Sequence, residues 1–131
     1  MDLMPCAADH RHLAYGHNGL VIPEPTRPQL DVAARTFALL ATPVRLHLVA
    51  LAAEGEYDVG TLSDRVGVSI ATASQHLSKL RLAGVISARR DGRRQLYTVD
   101  DPHVLTLVQQ IFEHIAPDGT LAPDPPFVRP Q

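Results

Sequence analysis

Cysteine is nearly missing from this chain of 131 residues: Cys6 stands alone. One thiol cannot build an intrachain disulfide framework, which excludes a small stapled secreted scaffold. No stretch approaches the roughly 18 consecutive apolar residues of a membrane-spanning helix. The opening MDLMPCAADHRH carries neither the basic n-region nor the apolar h-region of a secretory signal. The expected location is therefore the cytoplasm, with no membrane partner. Neither a glycine-rich phosphate loop nor a general-base motif beside an open coordination position is found, and an enzyme is not expected. Internal repeats are missing as well.

Negative charge dominates only in the sum. The overall net of -2 conceals a basic segment: residues 60–98 carry Arg65, Lys79, Arg81, Arg89, Arg90, Arg93 and Arg94 against Asp64 and Asp91, a local net of +5. A concentrated basic stretch of this kind suits a polyanionic partner.

Punctuation divides the chain into three parts. Residues 1–28 contain Pro5, Pro23, Pro25 and Pro28 and read as a flexible N-terminal arm. Residues 117–131 hold five prolines and read as a disordered tail. Between them, 29–116 form the domain. Leu30, Ala33, Phe37 and Leu40 recur at helical spacing and predict a first helix over about 28–41. Thr42 followed by Pro43 is an N-cap with proline at the first helical position, and it opens a second helix with Val44, Leu48 and Leu51 on its inner face. His47 lies in that helix and is expected to be structural. Asp58 caps a short third helix stopped by Gly67, and Ser69 caps a fourth that Gly84 ends. VISARR and RQLYTV then flank Asp91-Gly92, a strong hairpin signal, and a last helix covers about 101–116. Helix, helix, short helix, turn, helix, two-stranded wing, helix is a mainly α fold with a β-hairpin wing: a winged helix-turn-helix.

In such a fold the fourth helix enters the major groove of double-stranded DNA by its N-terminal end. Its outward candidates are Thr72, Ser74, Gln75 and His76. Gln can bond adenine through two hydrogen bonds, and hydroxyls and imidazole can serve bases or phosphates. Lys79 and Arg81, farther along, suit phosphates, which position without specifying. At the wing tip, Arg89, Arg90, Arg93 and Arg94 surround a tight turn and form a grip for the DNA backbone or minor groove.

The segment from LATPVRL through ATASQHLSKLRLAGV to RRDGRRQLYTV resembles the ArsR–SmtB family of metal-sensing bacterial repressors over roughly 30–116. That resemblance implies a homodimer with its interface on the first and last helices. It further implies that the metal-free protein binds operator DNA and releases it when metal binds. One class of the family carries cysteines at the start of the third helix. Here the corresponding EYDVGTL puts Asp58 and Gly60 in their place, so a thiolate site for arsenic or lead is not expected. Another class uses the last helix, in the pattern Asp-x-His, ten residues, His, two residues, Glu or His. Asp101, His103 and His114 match three positions, while the fourth falls on Pro117, which cannot ligate. Glu113 and Asp118 flank the missing position as substitutes.

Helical arithmetic supports the pairing. His103 and His114 lie eleven residues apart, about 20° from the same face but roughly 16 Å apart along the axis. They cannot share one ion within a chain. Beside them, Val104, Leu107, Val108, Ile111 and Ile115 form an apolar stripe suited to a second copy of the same helix. In an antiparallel pair, His103 of one copy would lie beside His114 of the other, giving two equal sites. Two imidazoles and a carboxylate suit zinc, nickel or cobalt.

Within the arm, Cys6, His10, His12 and His17 are further candidate ligands. Cys6-x3-His10 resembles the arm ligands of zinc-sensing members whose third-helix start completes the site. Asp58 holds that completing position, but Thr61 stands where a second ligand is expected. Alternatively the arm could fold over the last-helix site and raise its coordination number, which favours nickel or cobalt. The competing expectation is a family member with the same DNA-binding fold that senses no metal, answering to redox state or another signal.

Overall fold

Thr26 and Gln29 open the first helix reciprocally. The Thr26 amide donates to Gln29 Oε1 at 2.9 Å and the Gln29 amide to Thr26 Oγ1 at 3.2 Å, a capping box that satisfies two otherwise unpaired donors. The resulting α1 runs Arg27–Leu40. Thr42 then accepts from the Arg45 amide at 3.4 Å, and Pro43 begins α2, Pro43–Glu54. Asp58 caps α3, Val59–Val66, through Thr61 at 2.8 Å. Ser69 caps α4, Ile70–Leu82, through Thr72 at 3.0 Å. Asp101 caps α5, Pro102–His114. Each of these starts coincides with a capping signal written in the sequence. Gly67, at φ 82°, makes the turn between α3 and α4 in the left-handed region, where a side chain would be strained.

This computed structural model describes residues 13–15 and 21–123. The chain divides into two units, 1–35 with 123–131 and 36–122. In the first, β1 (Leu13–Tyr15) pairs antiparallel with β2 (Val21–Pro23). The proline and glycine punctuation of the arm gave no sign of this ladder.

The second unit holds the core. Leu48, Val49, Leu62, Leu77 and Leu80 are fully buried, and Val85, Ile86, Tyr97, Val99 and Val108 pack with them. A three-stranded sheet borders it in the order β3-β5-β4, with β3 at Tyr57–Asp58, β4 at Ser87–Asp91 and β5 at Arg94–Thr98. The wing is therefore anchored on its inner edge by two residues that the sequence did not mark as a strand. Backbone and hydroxyl contacts from Val99 and Thr98 to the Ala52 carbonyl, at 3.0 and 3.3 Å, tie the wing's stem to α2.

Four expectations need correction. The wing loop is shifted by one residue: Asp91 pairs with Arg94, and the two loop residues are Gly92 and Arg93 rather than Asp91-Gly92. Only Gly92 has positive φ, 65°, as a turn with glycine first requires, so no side chain is forced into the left-handed region. Next, the last helix stops at His114, because Ile115 is extended at φ -120° and ψ 124° and bridges Leu121. Residues 115–122, expected in part as disordered tail, form a hydrogen-bonded reversal in which Ala116 N donates to Thr120 O at 2.7 Å and Ala122 N to His114 O at 2.9 Å. Pro117 disfavours a helical conformation at Ala116, which favours the reversal. Finally, the expected inner face of α1 is covered at Leu40 alone; Leu30 and Phe37 are exposed, Phe37 by 58%. His47, expected to be structural, is also exposed. No single helix among the described residues is long and apolar enough to cross a membrane.

Candidate functional site

α3, the Gly67 turn and α4 form the helix-turn-helix. Ala73, Leu77 and Leu80 bury one face of α4, which leaves Ser74, Gln75, Lys79 and Arg81 exposed on the other. Thr72 is only half-exposed; its hydroxyl accepts from Ser69 Oγ at 3.0 Å, so it closes the cap at the helix tip. His76 departs from the expectation of an outward reader. It is half-buried, with Arg45 Nη1 donating to its Nδ1 at 3.4 Å. Because a guanidinium only donates, Nδ1 must accept and the ring proton sits on Nε2. Burial, then the charges of Arg45 and Lys79, hold the His76 pKa below its ordinary value. Arg45 Nε also donates to the Leu39 carbonyl, so this one side chain ties the end of α1 to α4. No local signal in the sequence announced that link.

The four wing arginines do not form one cluster. Across the β4–β5 ladder Arg89 faces Leu96 and Arg90 faces Gln95, and side chains alternate along a strand. Arg89 and Arg90 thus project from opposite faces. Arg89 lies in a two-bond pair with Glu56, at 2.6 Å from Nε and 2.8 Å from Nη2. Arg94 reaches Asp58 at 3.4 Å and Asp91 at 3.9 Å. Both carboxylates respond: Glu56 is held below its ordinary pKa first by the Arg89 hydrogen bond, and Asp58 first by the Thr61 amide. Arg90 and Arg93 are exposed and have no acidic partner among the described residues.

At the start of α5, Asp101 accepts from the His103 amide at 2.7 Å and from the His103 ring, Nδ1, at 3.1 Å. The His103 amide is the main reason that its carboxyl titrates below the usual range. An ionised carboxylate only accepts, so the proton lies on Nδ1 and Nε2 points to solvent as a free donor atom for a metal. The His103 side chain is 95% exposed. His114 occupies the other end of α5, its carbonyl pinned by Ala122. Glu113 lies about 80° around the helix from His103 and lines a groove with Glu54, Ala50 and Phe112; Asp118 is engaged by Thr120 at 2.7 and 3.0 Å. Asp58 is committed to capping α3 and to Arg94. Cys6, His10, His12 and His17 lie outside the described residues. Among those described, no three His, Cys, Asp or Glu side chains converge as a metal site.

Residues 42–88, from the α2 cap to the second residue of β4, match the family of bacterial regulatory proteins named for arsR. The chain is 39% identical over 94 residues to the probable mercury resistance operon repressor of Streptomyces lividans, covering 72% of this chain and 74% of that one. It is 36% identical over 95 residues to the HTH-type transcriptional repressor SmtB of Mycobacterium tuberculosis, covering 72% and 70%. The chain belongs to the arsR family. The fold agrees: the homodimeric winged helix-turn-helix DNA-binding domain of Mb0332 from Mycobacterium bovis superposes with a TM-score of 0.59 at 35% identity, over 63% of this chain and 77% of that one. As an arsR-family protein it is a DNA-binding transcriptional regulator and not an enzyme. Ser74, Gln75, Lys79 and Arg81 on α4 and Arg90 and Arg93 on the wing are exposed hydrogen-bonding or cationic side chains of this arsR-family fold.

Proposed function

We propose that this arsR-family protein is a homodimeric repressor that binds operator DNA without metal and releases it when zinc, nickel or cobalt binds between the two subunits. The observation that carries the reading is the arrangement on α5. Asp101 and His103 are already in contact at one end, His114 stands at the other, and the exposed Leu107 and Ile111 lie between them on the same side of the helix. A single chain does not complete a site. Two antiparallel copies of α5 would bring His103 of one beside the partner's His114 at each end, and would cover the apolar residues between. The open side chains of α1, Leu30, Val32 and Phe37, supply further apolar surface for a second copy. The homodimeric relative from Mycobacterium bovis and the relatives named for mercury resistance and SmtB support the reading.

A divalent ion held there would act as a Lewis acid bridging the two chains. His103 contributes Nε2, oriented by the Asp101 carboxylate through Nδ1; Asp101 can instead turn its free oxygen outward as a ligand. Imidazole and carboxylate without thiolate suit zinc, nickel or cobalt. Fixing the two α5 helices fixes the spacing of the two α4 helices, which must match successive major grooves about 34 Å apart. A coupling of about 1–3 kcal/mol is typical of such allostery.

Cobalt(II) titration followed by visible absorption, combined with a DNA mobility shift, tests this. The wild type should bind cobalt and lose DNA. His103→Ala and His114→Ala should each abolish the metal response while metal-free DNA binding persists. A wild type that binds DNA but neither cobalt, nickel nor zinc would establish instead a regulator answering to another signal.

A further inference from the structure

We infer that Glu56 is an intramolecular competitor of DNA for the wing: it occupies Arg89, so that Arg90 and Arg93 carry the wing's phosphate contacts in the native protein. The inference rests on the reading of the wing as a DNA contact. Its basis is the acceptor geometry. Arg89 donates from Nε and Nη2 to the two oxygens of one carboxylate, at 2.6 and 2.8 Å, the same two-bond mode in which a guanidinium binds a pair of phosphate oxygens. A phosphate that captures Arg89 must break this pair and leave Glu56 beside the DNA as an unpaired negative charge. Arg90 and Arg93 have no acidic partner among the described residues. Arg94 is held in a looser way, at 3.4 Å from Asp58 and 3.9 Å from Asp91.

The placement is a product of the fold. Glu56 immediately precedes β3, and Asp58 of β3 pairs with Leu96 of β5, which pairs in turn with Arg89 of β4. Two acidic side chains thus lie along the inner edge of a three-stranded sheet: Glu56 reaches across it to Arg89 of the outer strand β4, and Asp58 meets Arg94 at the start of the central strand β5. The Arg89–Glu56 pair is exposed to solvent, the two side chains being 56% and 38% accessible. Pairs of this kind hold weakly, so Glu56 tempers Arg89 rather than burying it. A wing that looks fourfold charged in the sequence then acts on DNA as a twofold one. Each phosphate neutralised steepens log K against log salt by about 0.9. One wing therefore contributes about -1.8 to the slope instead of about -3.6.

The experiment measures binding of the full-length protein to a mixed-sequence duplex of about 30 base pairs across a salt series, since phosphate contacts are independent of sequence. Glu56→Gln should bind several-fold more tightly, with a slope steeper by about 0.9 for each wing on the duplex, or about 1.8 for a homodimer. Arg89→Ala alone should change affinity less than twofold, and in the Glu56→Gln background it should remove the whole gain. Glu54→Gln makes the same change of charge beside a tyrosine hydroxyl instead of a wing arginine, and should not steepen the slope. Asp58 is unsuitable as a handle because it also caps α3. The inference is overturned if Glu56→Gln leaves affinity and slope unchanged, if Glu54→Gln reproduces its gain, or if Arg89→Ala alone weakens binding as much as Arg90→Ala. Arg90→Ala and Arg93→Ala report separately on the wing. If they lose nothing and Glu56→Gln gains nothing, both the wing contact and the competition are wrong. If they lose affinity while Glu56→Gln gains nothing, only the competition is.

Discussion

The helix-turn-helix body and the terminal helices of this chain solve burial in different ways. α2, α3 and α4 bury Leu48, Leu62, Leu77 and Leu80 with no solvent contact at all, and only the ends of α4, Ile70 and Leu82, are exposed large apolar side chains in these three helices. α1 and α5 are just as apolar along one side, yet Leu30, Val32 and Phe37 on one and Leu107, Ile111 and Phe112 on the other stay exposed. One region finishes its packing within the chain, and the other presents apolar surface of the kind that marks an interaction site. Charge follows the same division. Six of the twelve lysines and arginines lie on α4 and the wing, whereas Asp101, His103 and His114 sit beside the exposed apolar side chains of α5.

Substitutions can break this contrast in graded steps. Leu77→Ala removes a fully buried side chain and should cost about 3 kcal/mol in urea unfolding; a cost under about 1 kcal/mol would mean that the body is not the rigid half. Ile111→Glu should leave the fold intact by circular dichroism while raising the dimer dissociation constant at least about tenfold, about 1.4 kcal/mol, as read by sedimentation velocity. An unchanged dimer would place the interface away from α5. Thr42→Ala, which removes the cap of α2, should lower stability by about 1 kcal/mol. It acts within the body and should leave the association state alone, a separation that unfolding and sedimentation measure side by side.

The smallest effect concerns pH. Burial lowers the His76 pKa, with Arg45 and Lys79 adding to it, so the unfolded chain takes up this proton more readily than the folded one. Stability should rise with pH from the folded value up to about 6.5 and be flat in this term above it. Acidification below about pH 6.5 therefore lowers stability, and the bond from Arg45 is lost only below the folded value, where the protonated ring can no longer accept. In His76→Gln that segment of the pH profile should flatten; a profile identical to wild type would assign the slope to another group.

Elements with local causes were legible. The starts of α2, α3, α4 and α5 coincide with Thr42-Pro43, Asp58, Ser69 and Asp101, because a cap is a bond between residues three or fewer apart. The wing was legible as a hairpin but not in its register, since β4 pairs with β5 so that Asp91 faces Arg94 and the turn falls at Gly92-Arg93. Among the candidate readers, Ser74, Gln75, Lys79 and Arg81 lie where helical spacing puts them. His76 does not, because the side chain that covers it belongs to Arg45, 31 positions earlier.

What the order of residues determined alone is the set of helices, their caps, the hairpin and the alignment of His103 with His114 on one side of α5, all of which follow from spacings of a few residues. Tertiary structure decided which of those side chains remain available. Glu56 meets Arg89 across 33 positions, and Phe37 and Ile111 remain open because no part of the described chain covers them. Periodicity records which way a side chain points along its own element; what it meets there depends on where the fold brings another element, or a second molecule.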